Sequence, residues 1–167
     1  MEVLNQVRKA LEALDIPYME EESVDGKTKR LTVSIGKSNL TITAGSRYVE
    51  GVSTCNTRFA LSADNPQLVK AIEDVIAEVI GWMVDEELGN TPYTPAIRSD
   101  CGKGEIMLWD YSKEEPVNLG WVKFGVSLKK RKARIVAERI GVEFEVPLTR
   151  IHIIHAIHKV FAATPRD

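Results

Sequence analysis

Residues 65–89 read NPQLVKAIEDVIAEVIGWMVDEELG, and the fold turns on how this stretch is read. Leu68, Val69, Ile72, Val75, Ile76, Val79, Ile80 and Met83 recur at helical spacing and form a broad apolar stripe. Asn65 can cap the helix. Pro66 suits its first position, where a backbone N–H has no intrahelical partner to lose, and Gly89 ends it. So wide a stripe predicts a central core helix on which the other elements pack.

Outward toward the N-terminus, residues 2–15 place Val3, Leu4, Val7, Ala10, Leu11 and Leu14 at helical spacing, and Pro17 stops that helix. The acidic run Glu20-Glu21-Glu22 with Asp25-Gly26 reads as a solvated loop or turn. Leu31, Val33 and Ile35 alternate with polar residues, as do Leu40 and Ile42, and the GKSN between them makes a hairpin. Tyr48, Val49 and Val52 predict a third strand, and Phe59 to Leu61 a fourth.

Outward toward the C-terminus, GNTPYTPAIRSDCGKG at 89–104 is a loop or connection rich in Pro, Gly and short polar residues. A second hairpin is expected over 105–111 and 119–126. Ser127 can cap a helix from Leu128 to Ile140, stopped by Gly141. Val142, Phe144 and Val146 alternate as a short strand, and Pro147 leads into a last helix reaching about Ala163. The expectation is an α+β fold of approximate order αβββα–ββαβα with mainly antiparallel sheet. Residues 1–88 form an acidic half, 89–104 a connecting loop and 105–167 a basic half, packed as one domain.

The 167 residues suit one domain able to bury a core without disulfides or metal. No run of 18 apolar residues exists, and charges interrupt the N-terminal helix where an export signal needs an apolar core, so a cytoplasmic protein is expected. Cys55 and Cys101 stand alone, in neither a disulfide framework nor a zinc pattern. The net charge of −2 conceals an asymmetry. Residues 1–88 hold 9 Lys/Arg against 15 Asp/Glu, and residues 89–167 hold 13 against 9. Either the halves attract each other or the basic half faces an anionic partner.

The sharpest anomaly is LKKRKARIVAER at 128–139. Read as a helix, it gathers Lys129, Lys130, Arg131 and Lys132 in a first turn whose dipole disfavours cations by roughly 0.3–1 kcal/mol each. Acidic groups of the first half would offset this, and so would an external anion. Lys130, Arg131 and Arg134 would lie away from Leu128, Ile135, Val136 and Ile140 and make the contacts. In the preceding hairpin, pairing the aliphatic faces toward the core leaves Trp109, Tyr111, Trp121 and Lys123 together. Exposed aromatics beside cations suit single-stranded nucleic acid, and equally a protein hot spot; a sheet covered on both faces would hide them.

Strand, turn, strand and then Gly125-Val126-Ser127-Leu128 opening a helix resembles the end of single-stranded-DNA-binding domains of the transcriptional-coactivator type. The resemblance covers residues 105–140 and implies nucleic-acid binding.

His152, His155 and His158 share one stripe of the last helix with Lys159. They are candidate metal ligands, although i, i+3, i+6 imidazoles rarely meet at one ion, and a polar or plainly solvated face explains them as well. A thiol dyad of Cys101 with a histidine, near Asp100, has nothing to fix it in space, and Gly102-Lys103-Gly104 is too short for a phosphate loop. Acidic pairs at Glu86-Glu87, Glu114-Glu115 and Glu143/Glu145 read as solvated surface. No catalytic set and no cofactor are expected. The leading reading is a small binding, adaptor or inhibitor protein, such as a prokaryotic or viral regulator, docking a partner protein through Lys129, Lys130, Arg131, Arg134, Trp109, Tyr111, Trp121 and Lys123. The alternative is a single-stranded nucleic-acid-binding protein using the same residues. Either version can be a homodimer.

Overall fold

The computed structural model describes residues 2–54, 57–89, 91, 95–96, 104–112 and 114–163, the side chain of residue 2 and those of 95–96 excepted. Helix α1 (Glu2–Ala13) presents Leu4, Val7 and Leu11 to the core, and the chain reverses beyond it through Asp15 at φ 55°. Five antiparallel strands follow in sequence order: β1 (Tyr18–Glu22), β2 (Lys29–Ile35), β3 (Ser38–Ala44), β4 (Tyr48–Ser53) and β5 (Arg58–Ser62). Leu31, Val33, Leu40, Ile42, Ala44 and Val49 point inward, as the period-two pattern demands.

The acidic run is therefore not a loop. Glu21 pairs with Arg30 and Glu22 with Lys29 across β1 and β2, so opposite charges face each other along the register. Glu20 also takes the guanidinium of Arg8, whose Nε donates to it at 2.9 Å; this holds the Glu20 carboxyl below its ordinary range. Cross-strand and helix partners turn a run with poor strand propensity into a charged edge strand. The expected turn at Asp25-Gly26 does form, with Gly26 at φ 72° and the Asp25 carboxylate accepting from Ser23 Oγ and the Lys27 amide.

Helix α2 runs Leu68–Leu88. It starts later than the sequence implied: Gln67 is at the cap, and the Asn65 side chain instead accepts from the Gln67 amide at 2.8 Å, closing a turn ahead of the helix. Leu68, Ile72, Val75, Ile76, Val79, Ile80, Trp82, Met83, Val84 and Leu88 are all buried. Burial around most of its circumference follows from its position, because α2 touches the inner faces of both sheets.

The second sheet is also a five-stranded antiparallel meander: β6 (Pro95–Ala96), β7 (Glu105–Asp110), β8 (Val117–Ser127), β9 (Lys132–Ala137) and β10 (Val142–Pro147). Helix α3 (Arg150–Ala162) closes the chain, capped by Thr149, whose hydroxyl accepts from the His152 amide. Fold class and antiparallel character are as the sequence implies. The basic helix at 128–140 is not: residues 128–131 are a turn and 132–137 are strand β9, paired between β8 and β10. The alternation that decides it is Ala133, Ile135 and Ala137 buried, with Arg134 exposed between them. Those small and β-branched side chains fit a pleated layer against β8 and β10, and tertiary pairing overrides the helix propensity of the Lys/Arg run. The resemblance to coactivator-type single-stranded-DNA-binding domains falls with that helix. The connection at 89–104 lies largely outside the described residues, as do Cys55, Asp100, Cys101, Gly102 and Lys103. Among the described residues no helix is long and apolar enough to cross a membrane.

Candidate binding face

Register brings the aromatic residues of β7 and β8 onto one side of the second sheet. Ile106, Leu108, Val122 and Phe124 are buried inward, which leaves Met107 and Trp109 on the outer face of β7 and Trp121 and Lys123 on that of β8. Met107 sits opposite Trp121, and Glu105 opposite Lys123. Between Leu108 and Trp109 the register slips: Leu108 pairs with Gly120 but Trp109 with Asn118. Gly120 takes φ 85° at this bulge, and the Asn118 side chain fixes it by accepting from the Gly120 amide at 2.7 Å. Asn118 also reaches Met107 Sδ at 3.7 Å. Trp109 and Tyr111, two residues apart on one face of the chain, stack with ring centroids 6.3 Å apart and planes 28° from parallel. Tyr111 is 51% exposed, while Trp109 and Trp121 are half-buried.

Of the cations named from the sequence, Lys123 and Arg134 share this outer face, each paired with a carboxylate, while Lys129, Lys130 and Arg131 lie elsewhere. Lys123 lies 3.3 Å from Glu138, and Arg134 Nε donates to Glu143 at 2.5 Å across the β9–β10 pair. That bond raises the Arg134 pKa and lowers that of Glu143. Among the described residues, the outer face thus carries Lys123, Lys132 and Arg134 against Glu105, Glu138, Glu143 and Glu145, with no excess of positive charge there. Lys129, Lys130 and Arg131 ride on the β8–β9 turn. Six residues of strand separate Ser127 from Trp121, about 20 Å at ~3.3 Å per residue. Lys129 and Arg131 instead line a cleft with Lys9 of α1, a residue nothing local in the sequence connects to them. Arg134 does not cluster with Lys130 and Arg131, because β9 is a strand and presents it on the outer sheet face.

His152, His155 and His158 are exposed on α3 as expected and border an open groove of about 890 Å³ with Asp15, Glu87, Arg150 and Ile154. Thr149 Oγ1 meets His152 Nδ1 at 2.6 Å. Lys159, on the same stripe, places its ammonium 5.9 Å from the centre of the Phe144 ring. Among the described residues no group of three or more His, Cys, Asp or Glu side chains is placed to hold a metal ion. Arg150, which the sequence did not single out, donates to Glu87 at 2.8 Å and to the carbonyls of Leu14 and Asp15, and so ties α3 to the ends of α1 and α2.

The chain matches no family model, no curated protein and no solved structure in comparisons with known proteins.

Proposed function

We propose that this chain is a non-enzymatic binding protein that docks a partner protein on the outer face of its second sheet, with Trp109, Tyr111 and Trp121 as anchors. The observation that carries this is the Trp109–Tyr111 stack, beside a β-bulge, with Tyr111 exposed and Trp109 half-buried. Rigid, partly exposed Trp and Tyr side chains supply large contact area with little rotamer entropy left to lose, the property that makes them interface hot spots. The balanced charge around them favours a protein partner over single-stranded nucleic acid. A strand stacked on these rings would run past Glu105, Glu138 and Glu143, while Lys123 and Arg134 are already engaged.

A photoactivatable cross-linker at position 123, exposed on the same outer face and not one of the anchors, tests this reading in cells with the full chain. The expected product is an adduct with one other polypeptide, insensitive to nuclease and lost on Trp109→Ala. A single hot-spot truncation of this kind costs about 2 kcal/mol or more of binding. Binding of such a face weakens little between low and high salt. Adducts with nucleic acid, released steeply as salt rises, overturn the proposal, and so does the same cross-linking pattern in the Trp109→Ala variant.

A further inference from the structure

At the end of the second sheet remote from the aromatic stack, residues of the β8–β9 turn and of α1 line one cleft of about 570 Å³. Three cations line it: Lys9 from the helix, Lys129 and Arg131 from the turn. Asn5 and Gln6 add polar groups at the rim, and Ala10, Leu128 and Leu148 supply apolar wall. None of the three cations has a carboxylate partner among the described residues, in contrast to Arg8, Lys70, Lys123, Arg134 and Arg150. All three are exposed, and a negative group placed in the cleft would be attracted by each of them.

The turn is also held rather than loose. The Leu128 amide donates to Glu73 Oε2 at 2.8 Å, the Lys130 amide to Ser127 Oγ at 3.2 Å, and the Leu148 amide to the Arg131 carbonyl at 3.0 Å. Within this frame Arg131 occupies the left-handed region, at φ 52°. A long side chain at positive φ is strained where glycine would be relaxed, and such strain gathers at ligand clamps. Arg131 lines the cleft with Lys9 and Lys129, and a guanidinium offers a fork of donors that matches a phosphate.

We propose that this cleft binds a small organic phosphate, its phosphate among Lys9, Lys129 and Arg131 and its apolar body against Leu128 and Leu148. The cleft has the size of a small-molecule site, and polar groups set against apolar wall are what such sites offer. An extended polyanion fits less well, since a strand leaving the cleft along β9 and β10 meets Glu145 and Glu143.

Calorimetric titration of the full chain with phenyl phosphate, inorganic phosphate and phenol tests the assignment at constant ionic strength. Phenyl phosphate should bind most tightly, inorganic phosphate more weakly and phenol not measurably. Lys129→Gln and Arg131→Gly should each weaken phenyl phosphate by roughly ten-fold or more, the effect of losing one charge-assisted contact. Arg131→Gly also controls for folding, because relief of the positive φ should leave the Tm unchanged or higher while binding falls. Binding that survives both substitutions overturns the site, as does a heat signal reproduced by sodium chloride alone. Inorganic phosphate binding as tightly as phenyl phosphate overturns the role given to the apolar wall.

Discussion

A bulge glycine and a half-buried carboxylate show how much single residues decide here. At Gly120 an added Cβ would lie 2.9 Å from Arg139 Cβ, and the residue sits at φ 85°. Gly120→Ala therefore meets both a steric and a backbone penalty. The expected loss is about 1–3 kcal/mol in urea unfolding. A variant as stable as the parent would mean that the strand pairing relaxes at no cost. Asp85 on α2 behaves oppositely to the paired carboxylates. Burial, with the neighbouring charge of Glu86 second, raises its pKa. A raised acid pKa means the folded chain binds that proton more tightly than the unfolded chain, so ionisation of Asp85 is a cost at neutral pH. The cost disappears as pH falls below the ordinary carboxylate value. Asp85→Asn should accordingly raise the Tm at pH 7, with the gain shrinking on acidification. Glu20 has the reverse sign: the hydrogen bond from Arg8 lowers its pKa, and its contribution is present at neutral pH and lost as pH falls through its folded value. Thermal melts of Asp85→Asn and Glu20→Gln across pH 3–8 should diverge in opposite directions at the neutral end.

At the level of elements, β9 marks the boundary of what local sequence conveys. Strands β2, β3, β4, β7 and β8 announce themselves by alternation, and α1, α2 and α3 by helical spacing, because in each the inward residues follow one unambiguous period. In residues 128–140 both periods are present: Leu128, Ile135, Val136 and Ile140 suit a helix, and Ala133, Ile135 and Ala137 suit a strand. Only pairing with β8 and β10 chooses between them, and that information is nonlocal. The acidic strand β1 was hidden for the same reason, since its stability resides in Arg8, Lys29 and Arg30. Of the candidate site, the aromatic set on β7 and β8 was legible from alternation alone. The companionship of Lys9 with Lys129 and Arg131 was not, because only the fold brings α1 and the β8–β9 turn to one cleft. The two periods make opposite predictions for Val136 and Ala137. In the strand Val136 is half-buried on the outer face and Ala137 is fully buried. Val136→Thr should change stability by less than about 0.5 kcal/mol, whereas Ala137→Leu overpacks the interior and should cost about 1–3 kcal/mol. A helix would reverse that order, so two denaturation curves decide between them.

For the whole molecule the question is whether the acidic and basic halves unfold as one. Helix α2 belongs to both. Its Glu78, buried, accepts from Ser53 Oγ of the first sheet at 2.8 Å. On the side of the second sheet, Gly81 lies close under Ile106, and a Cβ on Gly104 would meet that of Ala77 at 3.0 Å. Glu73 of the same helix holds the β8–β9 turn, and Arg150 of α3 bridges to Glu87 and to the end of α1. Loss of either sheet would expose one side of a helix that is apolar on nearly every face, and neither half retains a closed core without it. The chain should therefore show one cooperative transition. Of its three tryptophans, Trp109 and Trp121 lie on the second sheet while buried Trp82 sits on α2 one turn from Glu78, so the measurement is made in a Trp82→Phe background, where fluorescence reports on the first sheet only through cooperativity. Ile42→Ala in the first sheet and Ile135→Ala in the second each empty a fully buried site and should cost about 2–5 kcal/mol. The decisive reading is Ile42→Ala: its fluorescence midpoint should fall together with its far-ultraviolet circular dichroism. A dichroism change at lower denaturant, with the tryptophan signal left at the parental midpoint, would show that the first sheet melts alone and that α2 is not a shared core.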